Sequence, residues 1–78
     1  MTPNILDVVV LIHDVPAHGL LSGDLGAVVE SPGPDRFMVE FVAASGRTQA
    51  LVTLAGSDLR AAADDDLVVV RPASARAS

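Results

Sequence analysis

Arg36-Phe37-Met38-Val39-Glu40-Phe41-Val42 decides how the rest of this chain is read. Phe37, Val39 and Phe41 recur at every second position, which is the side-chain period of a strand with one buried face. They include both phenylalanines of a 78-residue chain, so that face is assigned to the core. Immediately downstream, Ala43-Ala44-Ser45-Gly46 has the composition of a tight turn. Arg47 to Leu54 then returns as a hairpin partner, with Ala50, Val52 and Leu54 on one face. Ala55-Gly56-Ser57 interrupts it, and Ser57-Asp58 is read as the cap of one or two helical turns through Ala63. The last strand is placed at Leu67 to Arg71, stopped by Pro72.

Upstream, Ser31-Pro32-Gly33-Pro34-Asp35 is dense turn chemistry, preceded by a strand from Gly26 through Ala27-Val28-Val29-Glu30. Ile5 to His13 is the first strand. It ends at Asp14-Val15-Pro16, because proline has no amide hydrogen for a central ladder. Between the two lies a long loop, residues 16–24, in which Leu20 and Leu21, together with Leu25 beyond it, are expected to fold back onto the core. Five strands, a long first loop, a central hairpin and a short helical turn before the last strand give an all-β fold. The order is that of a small five-stranded SH3-like barrel, and closure removes the exposed edges of so small a domain. An open meander packed on the short helix is the alternative. The expected organisation is a flexible N-terminus over 1–4, a single SH3-like β-barrel domain over 5–71 and a frayed tail over 72–78, with no internal repeat.

Composition limits the possible functions. Half the residues are apolar and the mean hydropathy is +0.47, enough for a core, though a small one. With no cysteine, disulfides and thiolate metal sites are excluded. Ten acids against five arginines and no lysine leave a net charge of −5, which repels phosphate backbones. Tyrosine and tryptophan are absent as well, so no stacking platform for RNA is expected. Met1-Thr2-Pro3-Asn4 carries no positive charge to open a signal peptide. The longest apolar stretch, Val8 to Ile12, is far short of the roughly 20 residues of a membrane span. The expectation is a soluble cytoplasmic protein that engages neither nucleic acid nor membrane.

Chemistry-bearing residues are sparse. His13 and His18 are the groups that titrate near neutrality, and with Asp14 and Asp24 they can be drawn as a metal site. They lack a third ligand at a characteristic interval, and a strand-end histidine beside a loop-packing one is the plainer reading; His18 is also a candidate partner contact. The serines lie in turns or the tail and none stands in Gly-x-Ser-x-Gly. Gly23-Asp24-Leu25-Gly26 is too short for a phosphate loop. Asp64-Asp65-Asp66 lacks the alternating acids and distal glutamate of a calcium loop, and reads as a solvated turn or an acidic patch facing a basic partner. No cofactor and no catalysis are expected.

The ordered set Ile5-Leu6-Asp7-Val8-Val9-Val10-Leu11, Asp14-Val15-Pro16-Ala17-His18-Gly19-Leu20 and Gly23-Asp24-Leu25-Gly26-Ala27-Val28-Val29-Glu30, continued by Val39-Glu40-Phe41 and Gly46-Arg47-Thr48-Gln49-Ala50-Leu51-Val52-Thr53-Leu54, resembles a family of short bacterial proteins, the domain of unknown function 4926. The resemblance spans about residues 5–60. It implies an SH3-like barrel that is one half of a two-component module, the antitoxin beside a toxin or nuclease-like protein. Ala61 to Ser78, with its triple aspartate, departs from it as an extension.

What remains is apolar residues that the core does not need. With Phe37, Val39 and Phe41 inward, Met38, Glu40 and Val42 point outward. The same alternation sends out Leu51, between Gln49 and Thr53, and Val28 together with Glu30. Val28, Met38, Val42 and Leu51 are expected to form a patch rimmed by Glu30, Glu40, Asp64, Asp65 and Asp66, with His18 as a further contact. The first strand (Val8-Val9-Val10-Leu11-Ile12) and the last (Leu67-Val68-Val69-Val70) are apolar at consecutive positions, a pattern of strands covered on both faces. The function expected is a non-catalytic protein–protein interaction module, an antitoxin-like neutralising partner of a cognate basic protein. The alternatives are self-association through the same patch and an accessory domain of an enzyme complex, as SH3-like barrels serve in nitrile hydratases.

Overall fold

A computed structural model describes residues 3–73. The expected flexible N-terminus and frayed tail therefore fall partly outside it, at residues 1–2 and 74–78. Five strands form one antiparallel sheet: β1 (Val8–Leu11), β2 (Leu25–Gly33), β3 (Arg36–Val42), β4 (Thr48–Ala55) and β5 (Leu59–Ala61), in the spatial order β4-β3-β2-β1-β5. One 3-10 turn, Pro16–His18, lies in the first loop and another, Gly56–Asp58, precedes β5. The chain is all-β, a five-stranded antiparallel sheet with a short 3-10 turn before its last strand, as expected.

The sheet must roll. β4 and β5 are its two edges, and in a flat sheet four inter-strand spacings would separate them by about 19 Å. Yet only Gly56–Asp58 joins Ala55 to Leu59, and that much chain reaches about 14 Å even when fully extended. The 3-10 turn is shorter still, so the two edges are drawn together at that end. Three contacts fix the junction: Asp58 accepts the Ala55 N–H at 2.9 Å, Asp35 accepts the Gly56 N–H at 3.1 Å, and the Ile12 N–H donates to the Asp58 carbonyl at 3.0 Å. A Cβ at Gly56 would displace the Asp35 carboxylate that accepts its N–H.

Inside the roll lie Val9, Leu11, Leu20, Val28, Phe37, Val39, Phe41, Val52, Leu54 and Leu59, with Val15 and Ala50 packed against them. Directly opposed residues share a face, and the register pairs Phe37 with Leu54, Val39 with Val52, and Phe41 with Ala50, as the alternation predicts. Leu20 does fold back into this core, while Leu21 and Leu25 are half-buried. Val9 lies opposite Gly26, where a Cβ would stand 2.5 Å from Val39 Cγ1. The glycine lets strands β2 and β3 wrap the core tightly.

Three expectations are corrected. The last strand is Leu59–Ala61, not Leu67–Arg71, because the three-residue turn after β4 delivers Leu59 beside Leu11 and fills the free edge of β1. The helical turns expected through Ala63 shrink to Gly56–Asp58 for the same reason. Val28 is fully buried rather than outward. It pairs with Val39, and the next pair along is Glu30 with Met38, so Val29 is an extra residue. Counting back from an outward Glu30 without that bulge assigns Val28 to the wrong face.

Candidate functional site

Removing Val28 leaves the rest of the outer sheet face in place. One row of directly opposed residues crosses four strands, running Leu51, Glu40, Ala27, Val8. The neighbouring row is Thr53, Met38, Glu30. Val42 stands beside the first row, opposite Thr48. Leu51 is 54% exposed, Val42 and Val8 nearly as much. Met38 and Glu40 are half-buried and Glu30 is exposed. Glu40 is fixed by the Thr48 hydroxyl, which donates to its Oε2 at 2.5 Å, so the carboxylate stands between Leu51 and Ala27 rather than sweeping freely through solvent. Val8, which the outer-patch expectation left out, belongs to the face through its pairing with Ala27. Its omission came from treating β1 as covered on both sides.

The other expected members are elsewhere. His18 is exposed at the end of the Pro16–His18 turn in the first loop. Asp64 and Asp65 are exposed in the turn that follows β5. Asp66 is not a free rim charge. Its carboxylate accepts two hydrogen bonds from the Arg60 guanidinium, at 2.8 and 2.9 Å, and a third from the Ala63 N–H at 2.7 Å. The Arg60 hydrogen bonds, followed by the Ala63 one, hold this carboxyl down at about 2. The same pairing raises Arg60 above its ordinary value.

Two further ion pairs were not legible from the chain. Arg71 clamps Asp24 through Nε to Oδ1 at 2.9 Å and Nη2 to Oδ2 at 2.5 Å, and Nη2 also donates to the Gly19 carbonyl. Partial burial pushes the Asp24 carboxyl up, but the Arg71 and Leu21 N–H donors outweigh it and leave the group below its ordinary value. Arg71 is raised in turn, first by its hydrogen bonds to Asp24. His13 Nε2 meets Asp58 Oδ1 at 2.5 Å, and that hydrogen bond, then the Asp14 carbonyl, raises its pKa. These partners lie 45 and 47 positions apart, beyond any local spacing rule.

His13 and Asp24, two of the four groups that might have been drawn around a metal, each hold a partner that joins distant chain segments. Among the described residues no three His, Cys, Asp or Glu side chains converge, and no helix is long and apolar enough to cross a membrane.

In comparison with known proteins, the chain matches the family model described as domain of unknown function (DUF4926) over residues 5–61. The matched stretch ends where β5 ends. No curated protein and no solved structure matches.

Proposed function

Since this chain belongs to the DUF4926 family, we propose that it is a non-catalytic protein–protein interaction module of the cytoplasm, an antitoxin-like neutralising partner that covers a basic surface of a cognate protein. The observation that carries this reading is the outer face built on Leu51, Val42 and Val8, with Glu30 and Glu40 among them. Burial of such apolar residues stabilises a complex by about 25 cal/mol per Å² before the costs of association. The −5 net charge speeds encounter with a cationic partner and disfavours polyanions. The mutual engagement of His13 with Asp58 and Asp24 with Arg71 supports a structural rather than a catalytic role for these groups.

The test is a capture experiment from lysate of the organism that encodes the protein, comparing wild type with Leu51→Asp and Val42→Asp. Both positions are exposed, so the fold, checked by circular dichroism, is expected to survive. A single stoichiometric basic protein retained by wild type, weakened by salt and lost in both variants, is the expected result. Equal retention by wild type and variants overturns the assignment of the face. Capture of nothing basic overturns the neutralising partner.

A further inference from the structure

Among the described residues the core holds nothing beyond Leu59, and the sheet ends at Ala61. Leu67, Val68, Val69 and Val70 are 73–92% exposed, and their backbone N–H and C=O groups make no hydrogen bond with the described residues. The other exposed large apolar residues are placed differently. Val8, Val42 and Leu51 lie in strands, and Ile12 donates its N–H to the Asp58 carbonyl. Ile5 and Leu6 sit in a turn closed by the Asp7 N–H on the Asn4 carbonyl. An endopeptidase cleft takes its substrate as extended chain whose backbone groups are free to pair with it. Nicking accordingly concentrates in exposed chain that needs no opening of the fold. Leu67–Val70 offers such backbone together with side chains for an aliphatic pocket.

The contacts on either side decide what a cut does. Asp66 is held by Arg60 and the Ala63 N–H, so the chain before the segment stays on the fold. Beyond the segment, among the described residues, Arg71 alone bonds the chain to the domain, through Asp24 and the Gly19 carbonyl. A single partly exposed ion pair is too weak to retain a short peptide at micromolar concentration once the covalent link is gone. All ten acids precede the segment, and Arg71 and Arg76 follow it, so the remaining domain carries three arginines against ten acids. We propose that Leu67–Val70 is a processing site, cut by an endopeptidase with a pocket for aliphatic side chains, and that the cut releases Arg71 from Asp24 while leaving the five-stranded fold intact. In the cut, water adds across one peptide bond, leaving a carboxylate on the domain and an amine on the released piece.

The test exposes the full chain to a trace of thermolysin, which cuts before large aliphatic residues, and separately to a lysate of the organism that encodes it. Products are followed by mass spectrometry, beside a variant carrying Leu67→Ser, Val68→Ser, Val69→Ser and Val70→Ser. Thermolysin is expected to convert wild type to products ending within residues 66–69, with an unchanged circular dichroism spectrum, and to cut the variant at least about tenfold more slowly. After gel filtration the product is expected to be free of the piece that carries Arg71. In the lysate a form ending within the same window is expected to accumulate from wild type and not from the variant. A first thermolysin cut elsewhere, or equal rates for the two chains, overturns the site. A product that loses its fold, or that keeps the Arg71 piece through gel filtration, overturns the release. A lysate that leaves wild type whole, or degrades it without that form, overturns processing in the cell.

Discussion

Val8-Val9-Val10-Leu11 and Leu67-Val68-Val69-Val70 are the same four residues in reverse order, and their fates are opposite. The first is β1, paired on one side with β2 and on the other with β5, with Val9, Val10 and Leu11 buried. The second is exposed, without ladder partners among the described residues. Hydrophobicity and strand propensity cannot separate them, so position in the topology does. β1 has two edges. β2 takes one, and Leu59–Ala61 takes the other because the Gly56–Asp58 turn delivers it there with almost no chain to spare. By the time the chain reaches Leu67 the sheet has no inner place left for it.

The sharpest way to break this contrast is to truncate one member of each region. Leu11→Ala is expected to cost about 2–5 kcal/mol in urea unfolding, the range for a buried leucine. Val69→Ala is expected to stay within about 0.5 kcal/mol of wild type. Similar losses in the two would show that Leu67–Val70 is packed in solution. Next in size is Gly26→Ala, on the strand that covers β1. Its Cβ meets Val39 and Phe41, so a loss of about 1–3 kcal/mol is expected. Gly33→Ala, in the same strand with open space around it, serves as the control and should move the midpoint little.

A smaller effect tests the ion pair that follows Leu67–Val70. Asp24→Asn is expected to cost about 0.5–1 kcal/mol, and the Arg71 Nε–H should lose its protection from solvent exchange in NMR spectra. The Asp24 carboxyl is lowered in the folded state, so the stability it contributes is complete above the ordinary value of 3.8. That stability is lost as pH falls through the lowered one. The smallest effects are on exposed groups and are best read as titrations. Asp66 should titrate at about 2 and move back toward 3.8 in Arg60→Gln. His13 is shifted the other way: its contribution is complete below 6.5 and is lost as pH rises through its raised folded value. In Asp58→Asn its NMR midpoint should return toward 6.5.

Much of the fold was legible because β3 states it outright. Two phenylalanines and a valine at period two fix one face, and turn chemistry on either side fixes the neighbours. The sequence reading failed where structure depends on something a local pattern does not carry. The bulge at Val29 reverses the side-chain parity of β2 with no glycine or proline at that position to announce it. The choice of Leu59–Ala61 over Leu67–Arg71 is a competition between two apolar stretches for one edge, and the weaker strand former wins by proximity. Of the outer face, Met38, Val42 and Leu51 follow from the alternation of β3 and β4, whereas Val8 needed the register with Ala27. The His13–Asp58 and Asp24–Arg71 pairs join residues 45 and 47 positions apart, so spacing had no means of revealing them.

The pairing of Val9 with Ala61 also bears on how the molecule forms. The β2-β3-β4 meander is made of neighbouring segments, whereas β1 acquires its second partner only from the far end of the fold. Contacts of such long sequence separation are slow to close. On the ribosome, the valine-rich edge of β1 therefore has no strand to shield it until residue 61 has emerged. Until then this edge is an unprotected template for intermolecular association, and folding is a race between elongation and aggregation.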